Sequence, residues 1–121
     1  TKETTNIINK ETLEYFLKGA VIINSARGDM IDDDALLDAL SRRKIYAVGL
    51  DVYKGEPNLH PGYIKQKSAF ILPHLGSATK ETRIAMANLA IDNIEEFFKT
   101  GNCKNRVDKK IKWQTELYNF K

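Results

Sequence analysis

Three short apolar runs, Ala20 to Ile23, Ala47 to Leu50 and Ala69 to Leu72, alternate with segments of helical period. That alternation limits the chain more than any other feature. Runs of four apolar residues bounded by turn or polar residues suit strands buried on both faces, as in a parallel sheet. The intervening segments carry helix signals. Asn9 is placed to cap a short helix through Leu13, Phe16 and Leu17, with Glu11 in its first turn and Gly19 at its far end. Asp32 or Asp33 is placed to cap a second, with Leu36, Leu37, Ala39 and Leu40 on its apolar side and Arg42, Arg43 and Lys44 near its end. From about Thr79 to Lys99, the residues Ile84, Ala87, Ile91, Ile94 and Phe98 recur at helical spacing, and Thr100 and Gly101 close the segment. Helix, strand, helix, strand, loop, strand, helix is the order of an α/β chain with a parallel sheet and covering helices. Three strands are few for an open sheet, so the expectation is half of one.

At 121 residues and 42% apolar, the chain holds one modest domain. Its charge of +3 is small and scattered. Only Lys104 to Lys121 is locally basic, and it also holds Trp113, Tyr118 and Phe120. Such a segment can stack on single-stranded nucleic acid. A solvated tail with apolar anchors is the more ordinary reading, and no nucleic-acid partner is expected. Cys103 is the single cysteine, which excludes an internal disulfide and a thiolate metal cluster and fits a reducing, cytoplasmic setting. Two histidines and one cysteine give a metal site little to work with, so none is expected. No apolar run reaches membrane-spanning length, and no membrane partner is expected. The chain starts at Thr1, within what reads as a loop, so it is expected to be a fragment. Periodicity fades after Gly101, which divides residues 1–101 from 102–121.

Ligands of open α/β sheets bind beyond the carboxyl ends of the strands. Arg27 follows the first run, Asp51 and Glu56 the second, and His74 the third. Singly, each has an ordinary structural reading: Arg27 in a strand-to-helix turn, Asp51 capping a loop, Glu56 in a surface turn, His74 as a loop histidine. Their position at three successive strand ends makes them joint candidates for a site. Asp32, Asp33 and Asp34 look like an ion cluster, but at a helix start they serve the helix dipole. The chain has no nucleophile elbow, P-loop or G-x-G-x-x-G turn, so a nucleotide's phosphate cradle lies outside these residues.

Residues 24–32 (NSARGDMID), 49–57 (GLDVYKGEP) and 73–79 (PHLGSAT) resemble three C-terminal signatures of the D-isomer-specific 2-hydroxyacid dehydrogenases. Thr1 to Thr4, with Ile7 to Asn9, is similar to the loop that precedes them in that family. The resemblance runs from Thr1 to about Gly101, in order and with compatible spacing. Pro61 to Tyr63 and the Gly76 to Thr79 form of the last signature are most similar to the glyoxylate and hydroxypyruvate reductase (glycerate dehydrogenase) branch.

The resemblance implies the C-terminal half of a Rossmann-like, doubly wound parallel sheet with covering helices, using NAD or NADP. It implies that Arg27 pairs with the carboxylate of a small 2-oxo or 2-hydroxy acid and polarises the adjacent carbonyl. His74 is implied as the proton donor and acceptor, and Glu56 as its partner, since a neighbouring opposite charge favours imidazolium. Asp51 is implied to bind the nicotinamide carboxamide. Ser25, Ala26, Gly76 and Ser77 are implied beside the same ring, as are Arg27 and His74, while Thr1 and Thr4 touch the coenzyme. Full-length family members pair as homodimers.

One departure is large. The family's substrate domain and the glycine-rich first half of its coenzyme domain precede this point and are absent from the sequence. The choice between NAD and NADP, and the oxo acid, depend on those parts. The 121 residues alone are expected neither to bind dinucleotide tightly nor to turn over substrate, and residues 102–121 to return toward the substrate domain. Two other readings stay open: a coenzyme-sensing, corepressor-like binding protein of the same family, and an inactive truncated product.

Overall fold

The computed structural model describes residues 2–107. Contacts divide it into two units, residues 1–76 and 77–121, and each is described by itself. Most of the basic aromatic stretch, from residue 108 on, lies outside the described residues.

The first unit is α/β. Helix α1 spans Lys10–Glu14, and Asn9 starts it with a reciprocal cap. The Asn9 side chain accepts from the Glu11 and Thr12 amides, while Thr12 Oγ1 accepts from the Asn9 amide at 2.8 Å. The helix is shorter than the sequence suggests and leaves out Phe16 and Leu17. Tyr15 already closes it through a tight bond to the Thr12 carbonyl, and Leu17 faces solvent, so no apolar contact favours another turn.

Strands β1 (Ala20–Asn24), β2 (Ile45–Leu50) and β3 (Ala69–Ile71) form a parallel sheet in the order β1-β2-β3. Asn24 pairs with Leu50 and Leu50 with Ile71, so the three carboxyl ends stand level along one edge. Helix α2 (Asp33–Ser41) makes the crossover from β1 to β2. Asp32 caps it by accepting from the Ala35 amide at 3.1 Å. Asp33 and Asp34 fill its first turn, where negative charge suits the dipole.

One face of the sheet is covered. Leu13, Ile22, Leu36, Ala39, Leu40, Ile45, Val48 and Leu50 form its core. Among the described residues the other face is not: Ile23 is 72% exposed and Phe70 66%, and Val21 and Tyr46 also face outward. The expectation of strands buried on both faces is therefore corrected. The crossover helix can cover only one side of the sheet, and the strand pleat sends alternate side chains to the other.

A single helical turn, α3 (Pro61–Ile64), stands where the sequence reads as loop. Pro61 suits a first helical position, and His60 Nδ1 accepts from the Gly62 amide at 3.2 Å. Tyr63 anchors the turn. It is 3% exposed, and its hydroxyl donates to Asp33 at 2.8 Å.

The second unit contains helix α4 (Lys80–Thr100), capped by Thr79 at its start and by left-handed Gly101 (φ 72°) at its end, as its sequence signals indicate. Ile84, Ile91, Ile94 and Phe98 are all exposed. Among the described residues no helix is long and apolar enough to cross a membrane.

Candidate active site

The sequence-predicted residues of the first unit gather on the loops that leave the level strand ends. After β1, Asn24 sets the geometry. It is 7% exposed, the one buried polar residue among those described. Its Oδ1 accepts from the Ala26 amide at 3.0 Å, and its Nδ2 donates to the Arg27 carbonyl at 2.9 Å. A buried amide with both ends bonded to one loop holds that loop in a single shape. Ser25, Ala26 and Arg27 stand exposed on it. The Arg27 backbone is extended, and its guanidinium donates from Nη1 to the Ala26 carbonyl at 2.6 Å. The planar fork is thus presented at the surface, where a carboxylate can reach it.

After β2, Glu56 is fixed from two sides. Its Oε1 accepts from the Tyr53 amide at 3.0 Å, and its Oε2 lies 2.8 Å from His74 Nδ1. The hydrogen bond to His74, then the one from Tyr53, hold the Glu56 carboxyl below its ordinary value. A carboxylate can only accept, so Nδ1 carries a hydrogen and proton exchange falls to Nε2. The imidazole is about half exposed.

After β3, His74 sits in the left-handed region (φ 57°). Three consecutive amides converge on Asp51. The His74 amide donates to its backbone carbonyl at 2.9 Å, Leu75 to Oδ1 at 2.6 Å and Gly76 to Oδ2 at 2.7 Å. Charge-assisted bonds of this kind are short and strong, and here they hold the turn that carries His74. An added Cβ at Gly76 would lie 2.9 Å from Asp51 Oδ2, which favours glycine there.

Two of the remaining candidates are placed less directly. Thr4 ends a single 3-10 turn (Lys2–Thr4); just beyond it, Asn6 and Ile8 donate to the carbonyls of Asp29 and Met30. That bonding draws the opening segment toward the Arg27 loop. Ser77 begins the second unit, and Thr1 lies outside the described residues. Among the described residues no group of three or more His, Cys, Asp or Glu could hold a metal.

Sequence reasoning missed Asn24, Gly28 and the Tyr53 amide. The signal for Asn24 was a lone amide ending an apolar run. Gly28 followed the arginine without any sign of what it touches, and a backbone amide carries no sequence signal at all.

The comparisons with known proteins bear on the family and the fold. Residues 1–76 match the family model described as the D-isomer specific 2-hydroxyacid dehydrogenase, NAD binding domain. A glycerate dehydrogenase of Cucumis sativus is 45% identical over 93 residues, 77% of this chain and 24% of that protein. A crystal structure of a glyoxylate reductase from Paecilomyes thermophila superposes with a TM-score of 0.87 at 37% identity, over 92% of this chain and 34% of that one. A glyoxylate/hydroxypyruvate reductase from Sinorhizobium meliloti, described as NADPH-dependent and solved with NADP and malonate, gives 0.80 at 36% identity, over 86% and 33%. The chain thus spans between about a quarter and a third of the length of these relatives.

Proposed function

The chain belongs to the D-isomer-specific 2-hydroxyacid dehydrogenases, and from that membership we propose that it supplies the substrate-polarising and proton-transferring part of a nicotinamide-dependent oxidoreductase. The observation that carries the proposal is the 2.8 Å pair between His74 Nδ1 and Glu56 Oε2 at the carboxyl edge of a parallel sheet. In this reading Glu56 holds the imidazole by Nδ1 and leaves Nε2 to give a proton to the carbonyl oxygen of a 2-oxo acid, or to take one from the hydroxyl in reverse. Arg27 pairs with the acid's carboxylate through two parallel N–H donors and draws electron density from the neighbouring carbonyl. The substrate class is small 2-oxo acids, with glyoxylate or hydroxypyruvate the favoured members.

The residues at this edge fit the nicotinamide end of the coenzyme, NAD or NADP. Ser25, Ala26 and Gly76 are small and exposed, and the Asp51 carboxylate keeps acceptor capacity for a carboxamide. They do not fit the phosphates, because no glycine-rich strand-to-helix turn is present. When bound, the nicotinamide supplies or accepts the hydride. Thr1, Thr4 and Ser77 complete the same reading as coenzyme neighbours, with residues 1–101 belonging to the coenzyme domain, residues 102–121 to a segment returning toward the substrate domain, and the full-length protein pairing as a homodimer.

The test is a titration of the isotope-labelled chain with glyoxylate and with reduced nicotinamide mononucleotide, which needs no pyrophosphate cradle. The Arg27 side chain and the His74 ring should respond to the acid, and the Ser25 and Gly76 amides to the mononucleotide. Affinities should be weak, on the order of millimolar, as expected for small ligands on a partial site. If those four residues stay silent while others respond, the assignment is wrong. Oxidation of NADH by the chain alone should be absent, and a clean glyoxylate-dependent rate would refute the expected dependence on a phosphate cradle.

A further inference from the structure

The loops that carry Arg27 and Glu56 meet at one residue. Gly28 packs against the Tyr53–Lys54 peptide so closely that an added Cβ would overlap the Tyr53 carbonyl carbon and oxygen and the Lys54 nitrogen. Its backbone is not left-handed, unlike Gly19, Gly55 and Gly101. Any residue could adopt its conformation, so what demands glycine here is the neighbouring backbone alone. The Tyr53–Lys54 peptide is joined through the Tyr53 Cα to the preceding one, whose Tyr53 amide donates to Glu56 Oε1. Glu56 in turn holds His74. On the other side of Gly28, Asn24 clamps the Ala26 amide and the Arg27 carbonyl, and its own carbonyl accepts from the Asp51 amide at 2.9 Å. One continuous path of backbone contacts and hydrogen bonds therefore leads from the Arg27 loop to the imidazole.

We propose that Gly28 and Asn24 are positioning residues, which hold the Arg27 loop against the Tyr53–Lys54 peptide and thereby set the orientation of Glu56 on His74. The cation that reads a carboxylate and the group that moves the proton are then fixed to one another through main-chain packing at Gly28 and the side-chain bonds of Asn24 and Glu56. Placement to a fraction of an ångström matters for proton transfer. Packing of backbone on backbone has little freedom to drift. The assignment rests on the proposed function only for what the geometry is used for, and the coupling itself is measurable without substrate or coenzyme.

The experiment is carbon-detected NMR of the labelled 121-residue chain, following the Glu56 carboxyl through a pH titration and the Tyr53 amide at fixed pH. Gly28→Ala pushes the Tyr53–Lys54 peptide away. The Tyr53 amide signal should then move, and the Glu56 midpoint should rise by roughly half a unit to one unit as a hydrogen bond to its charged form weakens. The His60 ring and Tyr63 signals, which sit on α3, report that the fold survives. Asn24→Ala is the second variant. The amide and carbonyl it releases lie on exposed Ala26 and Arg27, where water can replace it, and the bonds described for its side chain go to neither Tyr53 nor Glu56, yet the Glu56 midpoint should rise in the same direction. A folded Gly28→Ala chain with an unmoved Glu56 midpoint overturns the proposal. If Gly28→Ala does not fold, Asn24→Ala decides: a raised midpoint supports the coupling and an unmoved one overturns it. Loss of fold in both variants also counts against it, because the two residues would then be needed for folding rather than for placement. Silence of the chain toward glyoxylate and mononucleotide, with a raised midpoint in these variants, would refute the proposed function and leave the coupling standing.

Discussion

Replacing Tyr63 by Phe should lower the stability of the first unit at neutral pH and remove a specific sensitivity to alkali. The ring is buried and its hydroxyl donates to Asp33 at 2.8 Å. Burial first, then the bond to Asp33 and the negative charges around it, push the hydroxyl's pKa far above the ordinary tyrosine value of 10. Tyr63→Phe forfeits one hydrogen bond to a charged, partly exposed acceptor that water can re-solvate, a cost of about 1 to 1.5 kcal/mol. The folded chain keeps the Tyr63 proton where the unfolded chain loses it. The stabilisation is therefore complete below about pH 10 and drains away as pH rises, at a limiting rate of about 1.4 kcal/mol per unit. At about pH 11, ionisation of the unfolded tyrosine has removed about 1.4 kcal/mol. Phe has nothing to ionise, so the two stability curves should meet between about pH 10.5 and 11. Urea unfolding of both chains at pH 7, 9, 10 and 11, followed by circular dichroism, measures the difference directly. The other tyrosines are common to both chains and cancel. A gap of constant size from pH 7 to 11 would refute the reasoning, since it would mean that Tyr63 ionises alike in the folded and unfolded chains.

Four further outcomes follow from particular positions. Asp32→Ala, which removes the acceptor for the Ala35 amide, should cost about 1 kcal/mol by urea unfolding. Asp34→Ala, at an exposed first-turn position, should cost less than about 0.5 kcal/mol. Asp51→Asn keeps one acceptor oxygen and turns an amino group toward the Leu75 or Gly76 amide, so hydrogen exchange at those amides should accelerate by roughly tenfold or more. Glu56 is held below its ordinary value of 4.5, so its contribution to stability is present above that pH and is lost as pH falls through the lower folded value. Glu56→Gln has no such loss, and the gap between it and the parent should be steady above about pH 5 and shrink below about pH 4.5.

Much of the fold was legible because its signals are local. Asn9 and Asp32 cap the helices that follow them, and Gly101 ends α4, because capping depends only on residues within one turn. The three strands were legible as apolar runs, but their burial was not. Val21 and Ile23 are as apolar as the buried Ile22, so composition cannot say which face is covered. Turn α3 escaped because its stability comes from a contact 30 positions away, Tyr63 with Asp33. At the site, residue types pointed to Arg27, Glu56 and His74. What places them did not show, because the Tyr53 amide, the Asn24 carbonyl and the room at Gly28 are features of main chain.

That division bears on how the site is built. Each described bond that fixes Arg27, Glu56 and His74 joins residues between 24 and 76, within one unit. Among the described residues, the mutual placement of Arg27, Glu56 and His74 is therefore set within the first unit. In the proposed function, tight coenzyme binding is a separate matter, because the sequence has no glycine-rich turn to cradle the phosphates. On the proposed function, proton handling and hydride delivery are separable: the first rests on contacts among three adjacent loops, and the second on a binding element of another kind. A chain with the first alone should still show the coupled behaviour of Glu56 while oxidising no coenzyme, so the geometry of the proton pair can be tested apart from turnover.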